Sequence, residues 1–409
     1  MSHQIVRPIL LLAMLVAFVS TVFSAPKYDI IDLGVPPGGI SSEAHAINNK
    51  GEVVGQYYDN SNNGDYHAFL WSDGVMTELL GYGGLNGTAE DINDSGLVVG
   101  QSWTTGSVSY AVLWRDGIAS SIGDLGGGVA WARAINNSGD ITGQSFFTAA
   151  DQINSASAFL KPAGGAMQGI GPVGRIFLEV KDINNLGQVT GAIINRDVTN
   201  SYRAFVYDGI SVTDLGKPDG SLWSGASAIN DSGHVAGSAL FQYSFGTLNR
   251  AMLYKDGVWI DFYGGAPSSC VAMNNRGHIV GTHSSNPLQA FLWKNSQFQV
   301  LNSLIPPASG WSTLTVPYDI NDSGQIVGVG IRNGEQRAFL MSPHKYKLKM
   351  RDAYGDTLPG KTVSITRVNT NKPLYTERVV GDFVIDPAGI VEFLSDSISS
   401  GERFKVTLD

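Results

Sequence analysis

The sequence predicts an all-β protein: a seven-bladed β-propeller over residues 28–343, closed by an N-terminal strand and followed by a small β-sandwich over 344–409. Three observations predict it. One segment is written seven times, as AINNKGEVVGQ from Ala46, DINDSGLVVGQ from Asp91, AINNSGDITGQ from Ala134, DINNLGQVTGA from Asp182, AINDSGHVAGS from Ala228, AMNNRGHIVGT from Ala272 and DINDSGQIVGV from Asp319, at steps of 45, 43, 48, 46, 44 and 47 residues. A period of about 40 to 50 residues belongs to propeller blades, with helical repeats as the main competitor. Within one period the signals are all β, about four short strands with no helix-length amphipathic run. Finally, the array begins with a lone fourth strand and ends with a blade of three, so the two ends complete each other and no open edge is left. An open β-solenoid is the alternative architecture.

Taken in order, the chain opens with MSHQIVRP, the apolar run ILLLAMLVAFVSTVF and then SAPK. Residues 1–25 read as a secretory signal peptide, too short for a comfortable membrane span. No cysteine lies at the cut, so no lipid-modified terminus is expected. The mature protein is expected to be secreted, periplasmic or at the cell surface, with no transmembrane segment once the signal is cleaved. The single cysteine, Cys270, cannot form an intramolecular disulfide and reads as a buried, inert thiol. Net charge is −9, and −10 without the signal, which excludes nucleic acid as an expected partner. Fifty glycines in 409 residues and only 15% charged residues fit a chain of many tight turns.

YDIIDLG, Tyr28 to Gly34, is the lone fourth strand. In the first copy, Asn48-Asn49-Lys50-Gly51 reads as a type I turn closed by a glycine at positive φ, and Glu52 to Gln56 as the next strand. After a variable loop comes HAFLW at His67, matched by YAVLW, SAFLK, RAFVY, RAMLY, QAFLW and RAFLM. Its alanine and the large residue after it point to opposite faces of the sheet, so both faces must be covered by other sheets. The glycine of the second strand (Gly55, Gly100, Gly143, Gly191, Gly237, Gly281, Gly328) implies close backbone approach to a neighbour.

These motifs, an I-N-x-x-G-x-V-x-G segment, a variable loop, His67-Ala68-Phe69 and the endings Asp124-Leu125-Gly126 and Asp214-Leu215-Gly216, resemble the HAF repeats of extracellular bacterial proteins over about residues 28–343. The signature histidine stands only at His67, with Tyr110, Ser157, Arg203, Arg250, Gln289 and Arg337 elsewhere. The resemblance implies an architecture and no particular chemistry. After Pro343 the repeat stops, and the segments 352–363 and 386–393 look like carboxypeptidase-regulatory or transthyretin-like β-sandwich modules, whose roles are structural or adhesive.

No G-x-S-x-G elbow, H-E-x-x-H or cysteine pair is present, so no catalytic residue is assigned and no cofactor is expected. His234 and His278 occupy a repeat position that also holds Glu52, Leu97, Asp140, Gln188 and Gln325, which reads as solvated surface. Asp91 to Gly96 and Asp319 to Gly324 begin like calcium loops, yet the twelfth positions are Ser102 and Gly330, so no metal is assigned.

The leading functional expectation is a non-enzymatic exported scaffold that binds a glycan or protein, with oligomeric state open. A polysaccharide-cleaving propeller enzyme is the second reading, with carboxylates drawn from Asp59, Asp65, Glu179, Asp197 and Glu335, and a structural envelope protein is the third. Four-stranded antiparallel blades put the Asn-x-x-Gly turns and the third-to-fourth turns on one face, and the variable loops on the other. That second face carries the aromatics, so Trp103, Trp131, Trp223, Trp311, Tyr57 and Tyr58 are the candidate ligand-binding residues.

Overall fold

A computed structural model describes residues 27–60, 66–83, 86–103, 108–147, 157–171, 176–195, 202–284, 288–349, 359–369, 376–388, 390–394 and 403–408. The proposed signal peptide, 1–25, lies outside the described residues. Residues 30–342 form one compact unit, and 343–409 with 1–29 a second. The first unit is a seven-bladed propeller of four-stranded antiparallel sheets. Blade 1 runs Gly39–Ile47, Val53–Asp59, Tyr66–Ser72 and Val75–Leu79 from the axis outward, and five more blades follow in chain order. The seventh sheet has the order Tyr28–Asp32, Glu335–Pro343, Ile326–Arg332, Trp311–Ile320, with Leu33 N donating to Ala338 O at 3.0 Å and Arg332 paired to Asp32 at 3.0 Å. Helix is limited, among the described residues, to one 3-10 turn at Leu301–Leu304.

The recurring turn does more than reverse the chain. In blade 1 the Asn48 side-chain oxygen accepts from the backbone N–H of Lys50 and Glu52, which fixes the hairpin, and Gly51 closes it at φ +86°. The Asn48 amide then donates to the Asn93 carbonyl of the next blade at 3.1 Å. The residue after it makes a second link. Asn49 N donates to Asp94 Oδ1, Asp94 N to Asn137 Oδ1, Asn137 N to Asn185 Oδ1, Asn185 N to Asp231 Oδ1, Asp231 N to Asn275 Oδ1, Asn275 N to Asp322 Oδ1, and Asp322 N back to Asn49 Oδ1, all at 2.8–2.9 Å. Each link needs a short side chain ending in an acceptor oxygen. Hence this position is Asn or Asp in every copy. At about 1 kcal/mol net per bond, this belt amounts to several kcal/mol shared among all the blade contacts.

Every innermost strand carries a β-bulge at one repeat position. In blade 1 Ala44 pairs with Gly55 and Ala46 with Val54, leaving His45 without a partner; Glu90, Arg133, Lys181, Ser227, Val271 and Tyr318 are its equivalents. The bulge pushes a carbonyl toward the second strand, so a Cβ on Gly55 would sit 2.0 Å from Glu43 O, and on Gly191 1.9 Å from Glu179 O. The same encounter recurs at the other five second-strand glycines. The close neighbour implied by the sequence is therefore the bulged strand of the same blade.

Between blades the large residue of one third strand lies in a cluster with the alanine of the preceding blade: Phe69 with Ala338, Val112 with Ala68, Phe159 with Ala111, Phe205 with Ala158, Phe291 with Ala251. Large against small fills the wedge between sheets without voids. Cys270 is free and buried, and burial pushes its thiol up to about 12. His278 is a correction to the solvated reading: it is 8% exposed, and its ring approaches the Asn274 amide at 3.5 Å. The position tolerates many residues because Glu52, Asp140, Gln188 and Gln325 also reach their turn asparagine.

The second unit contains a two-stranded antiparallel sheet, Lys345–Lys349 with Ile390–Leu394, and a three-stranded one ordered Thr376–Val384, Thr362–Asn369, Arg403–Leu408.

Candidate functional site

The seven inner strands enclose an axial channel, and at the Asn-x-x-Gly face it holds a cavity of about 250 Å³. Its wall is layered by the repeat. Outermost is the Asn/Asp belt, then the turn asparagines, then a ring in which Asp91, Asp182 and Asp319 alternate with alanines, and then the bulged residues. The bulge is what turns those seven side chains toward the axis. They are His, Glu, Arg, Lys, Ser, Val and Tyr, no two alike, followed in every copy by a position held only by Ala or Asp.

Each ring aspartate clamps two blades. Asp91 accepts from Ile92 N at 2.8 Å and Ile135 N at 2.7 Å, Asp182 from Ile183 N and Ile229 N, and Asp319 from Ile320 N and Ile47 N. These bonds, with those to Asn93 and Asp94, account for the calcium-loop spelling of these segments. Desolvation in the channel wall outweighs the bonds and raises all three carboxyls, Asp182 to about 6, Asp319 to about 7, and Asp91 well above its usual value.

Above them His45 Nδ1 donates to Ala89 O at 2.9 Å, its other nitrogen lies 3.7 Å from Glu43, and its ring meets Tyr318 edge-on at 5.2 Å. Burial pulls the imidazole toward neutrality. Glu43, Glu90 and the Ala89 carbonyl more than reverse this, so His45 is raised, while the bond to His45 is the main cause that lowers Glu43. Arg133 pairs with Glu90 at 3.2 Å and Lys181 with Glu179 at 2.6 Å.

On the opposite face a second cavity, about 420 Å³, lies between blades 1 and 2. It is lined by His45, Gln56, Tyr66, Asn86, Thr88, Glu90, Gln101 and Trp103. Tyr58 lies 4.4 Å from Tyr66, and Tyr66 6.5 Å from Trp103, so two aromatic candidates are brought together through a residue that sequence reasoning passed over. Trp131 stands apart, edge-on to Phe146 with its indole N–H donating to Gln144, and Trp223 packs 6.1 Å from Tyr202. Tyr57 and Trp311 are only 6% and 7% exposed: Tyr57 stacks on His67 at 4.8 Å, and Trp311 meets Phe339 edge-on at 5.9 Å. Both are packing residues.

Among the described residues the loop carboxylates are not gathered. Asp59 lies 3.4 Å from His67, whose other nitrogen is 2.9 Å from Glu78; Glu179 pairs with Lys181, and Glu335 with Arg337. Asp65 and Asp197 lie outside the described residues. What sequence reasoning missed were His45, Glu90, Asp182 and the clamping role of Asp91 and Asp319, which it weighed only as the starts of calcium loops. The signal was present in the repeat, as one position that differs in every copy just ahead of one confined to Ala or Asp.

Residues 173–316, about a third of the chain, match the family described as "Protein of unknown function (DUF3466)". No curated protein matches the sequence. Among solved structures the chain is similar to the β-propeller domain of the Trilobed protease from Pyrococcus furiosus, with 9% identity, a TM-score of 0.52, and 74% of this chain and 95% of that one covered. It is also similar to the acylaminoacyl peptidase of Pyrococcus horikoshii, with 9% identity, a TM-score of 0.50, and 78% of this chain covered. It spans 59% of that peptidase's length. At such identity the likeness is one of fold alone, a β-propeller.

Proposed function

We propose that the protein is an exported, non-enzymatic propeller scaffold that binds a glycan or protein ligand through its variable-loop face. In this reading residues 1–25 direct export, the Tyr28–Asp32 strand closes the ring, residues 344–409 form a β-sandwich module, and the repeats belong with the HAF type. The observation that carries it is the cluster Tyr58, Tyr66 and Trp103 at the 420 Å³ cavity on that face. Aromatic rings beside a polar cavity supply area at little entropic cost, and the repeated motifs of the other face are engaged in joining blades. The test is binding of the mature chain to arrayed glycans and to envelope proteins, before and after Trp103→Ala, Trp131→Ala and Trp223→Ala. Loss of binding supports this face. Retention, with loss instead on changing the channel ring residues Arg133 and Lys181, assigns binding to the channel.

One observation favours the enzyme reading: Asp182 and Asp319, raised to about 6 and 7, stay partly protonated as pH approaches neutrality, in the range a general acid needs. Both are held by backbone N–H groups from two blades, which suits a clamp better than an acid that must move a proton. Release of reducing ends in the same glycan wells, abolished by Asp182→Ala and Asp319→Ala, would establish it.

A further inference from the structure

The cleft between blades 1 and 2 has a chemistry narrower than its face. One wall is aromatic, with Tyr66 41% exposed and in reach of Tyr58 and Trp103. The other is amide and hydroxyl, from Gln56, Asn86, Thr88 and Gln101. Gln56 and Thr88 are more than nine-tenths buried and hold each other, Thr88 Oγ1 donating to Gln56 Oε1 at 3.1 Å. The Gln56 amide reaches Glu43 at 3.2 Å and the Tyr58 hydroxyl at 3.4 Å, so the polar wall fixes the rim of the aromatic one. Asn86 Oδ1 is buried without a hydrogen-bond partner in the protein. At the floor His45 and Glu90 have their charges engaged, by Glu43 and Arg133.

We propose that this cleft binds a pyranose residue of a neutral glycan, an inference that rests on the loop-face reading and narrows it. A pyranose has two unlike surfaces, C–H faces that stack on aromatic rings and an equatorial rim of hydroxyls that both donate and accept. The cleft presents both complements side by side. Amides and hydroxyls can each donate or accept, so they satisfy such a rim without leaving a buried partner unpaired. Acidic sugars fit poorly, because no unengaged cation lines the cavity while the Glu90 carboxylate does. A protein ligand would want a wide surface, whereas a cavity of about 420 Å³ suits a small unit of one or two sugar residues.

The experiment is an array of neutral gluco-, manno- and galacto-configured oligosaccharides beside uronate-containing ones, followed by titration of the best binder. Trp103→Ala, Tyr66→Ala and Thr88→Val are compared with the parent and with Trp131→Ala and Trp223→Ala, and thermal melting of each variant reports folding. The expected result is binding of a neutral glycan, weakened about thirtyfold by Trp103→Ala or Tyr66→Ala and less by Thr88→Val. The inference is overturned if no neutral oligosaccharide binds, if uronates bind better, or if Trp103→Ala and Tyr66→Ala leave affinity intact in folded protein. Should Trp131→Ala and Trp223→Ala instead abolish binding of any array ligand, the cleft assignment fails while the loop-face reading stands. If no variant on this face matters to a ligand that binds, both fail.

Discussion

Gly237→Ala in blade 5 isolates the role of the bulge. Gly237 faces Ala226 across the first strand pair, just before the bulged Ser227, and its φ is not positive, so alanine suffers no conformational strain there. With room for the methyl, the substitution would stabilise the fold by roughly 0.4 to 1 kcal/mol through the unfolded state. The room is missing: the new Cβ would lie 2.1 Å from Gly225 O and 3.1 Å from Ala226 Cα, both backbone. Relief requires the two strands to part by about 1 Å, stretching ladder bonds beside the bulge. Overpacking of about 1 to 3 kcal/mol, with a weakened hydrogen bond of about 1 kcal/mol, gives a loss of about 3 kcal/mol. For a domain of this size that lowers Tm by roughly 5 to 8 °C. Gly225→Ala, on the facing strand, is the control, because its Cβ would meet only the Trp223 ring at 3.6 Å, an ordinary contact. Differential scanning calorimetry of the two variants decides. Equal melting temperatures would refute the steric account of the repeated glycine.

Three further outcomes are expected. Asn49→Ala removes the acceptor for Asp322 N where the seventh blade meets the first, together with the amide donor to Asp94, and should destabilise by about 1 kcal/mol or more in urea titration, whereas Asn49→Asp keeps the acceptor oxygen but sets a carboxylate against Asp94, so its loss should shrink as pH falls and Asp94 is protonated. The ring aspartates are raised in the fold, so between about pH 4 and 7 the folded state holds more protons than the unfolded one and their contribution to stability falls as pH rises; raised His45 acts in the same direction through its own titration. Tm should therefore decline from pH 5 to 8, and Asp319→Ala, which installs the residue of four other blades, should flatten that decline. A chain beginning at Val35 loses the first strand, its Asp32–Arg332 pair and the buried Leu33, the last alone worth roughly 1.5 to 3 kcal/mol, and should melt lower; an unchanged midpoint removes the strand from any closing role.

Blade number, strand count and the need to cover both faces of each sheet were all legible, because each is a local pattern repeated, and repetition averages away the ambiguity of any single copy. The burial of both Ala68 and Phe69 follows from alternation alone. Relations between copies were not legible. Nothing within AINNKGEVVGQ says that the second asparagine accepts from a backbone 273 residues away, although its restriction to Asn or Asp carries the trace. Exposure of aromatics was likewise hidden: Tyr66, passed over in the sequence, is 41% exposed, while Tyr57 and Trp311 are swallowed by their own blades. The cleft escaped notice because it is made by neighbouring blades, from Gln56 and Tyr66 on one and Thr88 and Gln101 on the next.

The Asn/Asp belt also bears on ancestry and engineering. Every link runs the same way round, a backbone donor from one blade to a side-chain acceptor on the next, so each unit has one plug and one socket of a common gauge. Such head-to-tail joints propagate until rotation brings the last unit onto the first. A duplicated gene segment encoding one unit therefore arrives with both fittings already matched, and the loops it carries are free to diverge. By the same logic the circle has no privileged starting blade at this face. Circular permutants opened at any inter-blade connection should fold with the belt intact.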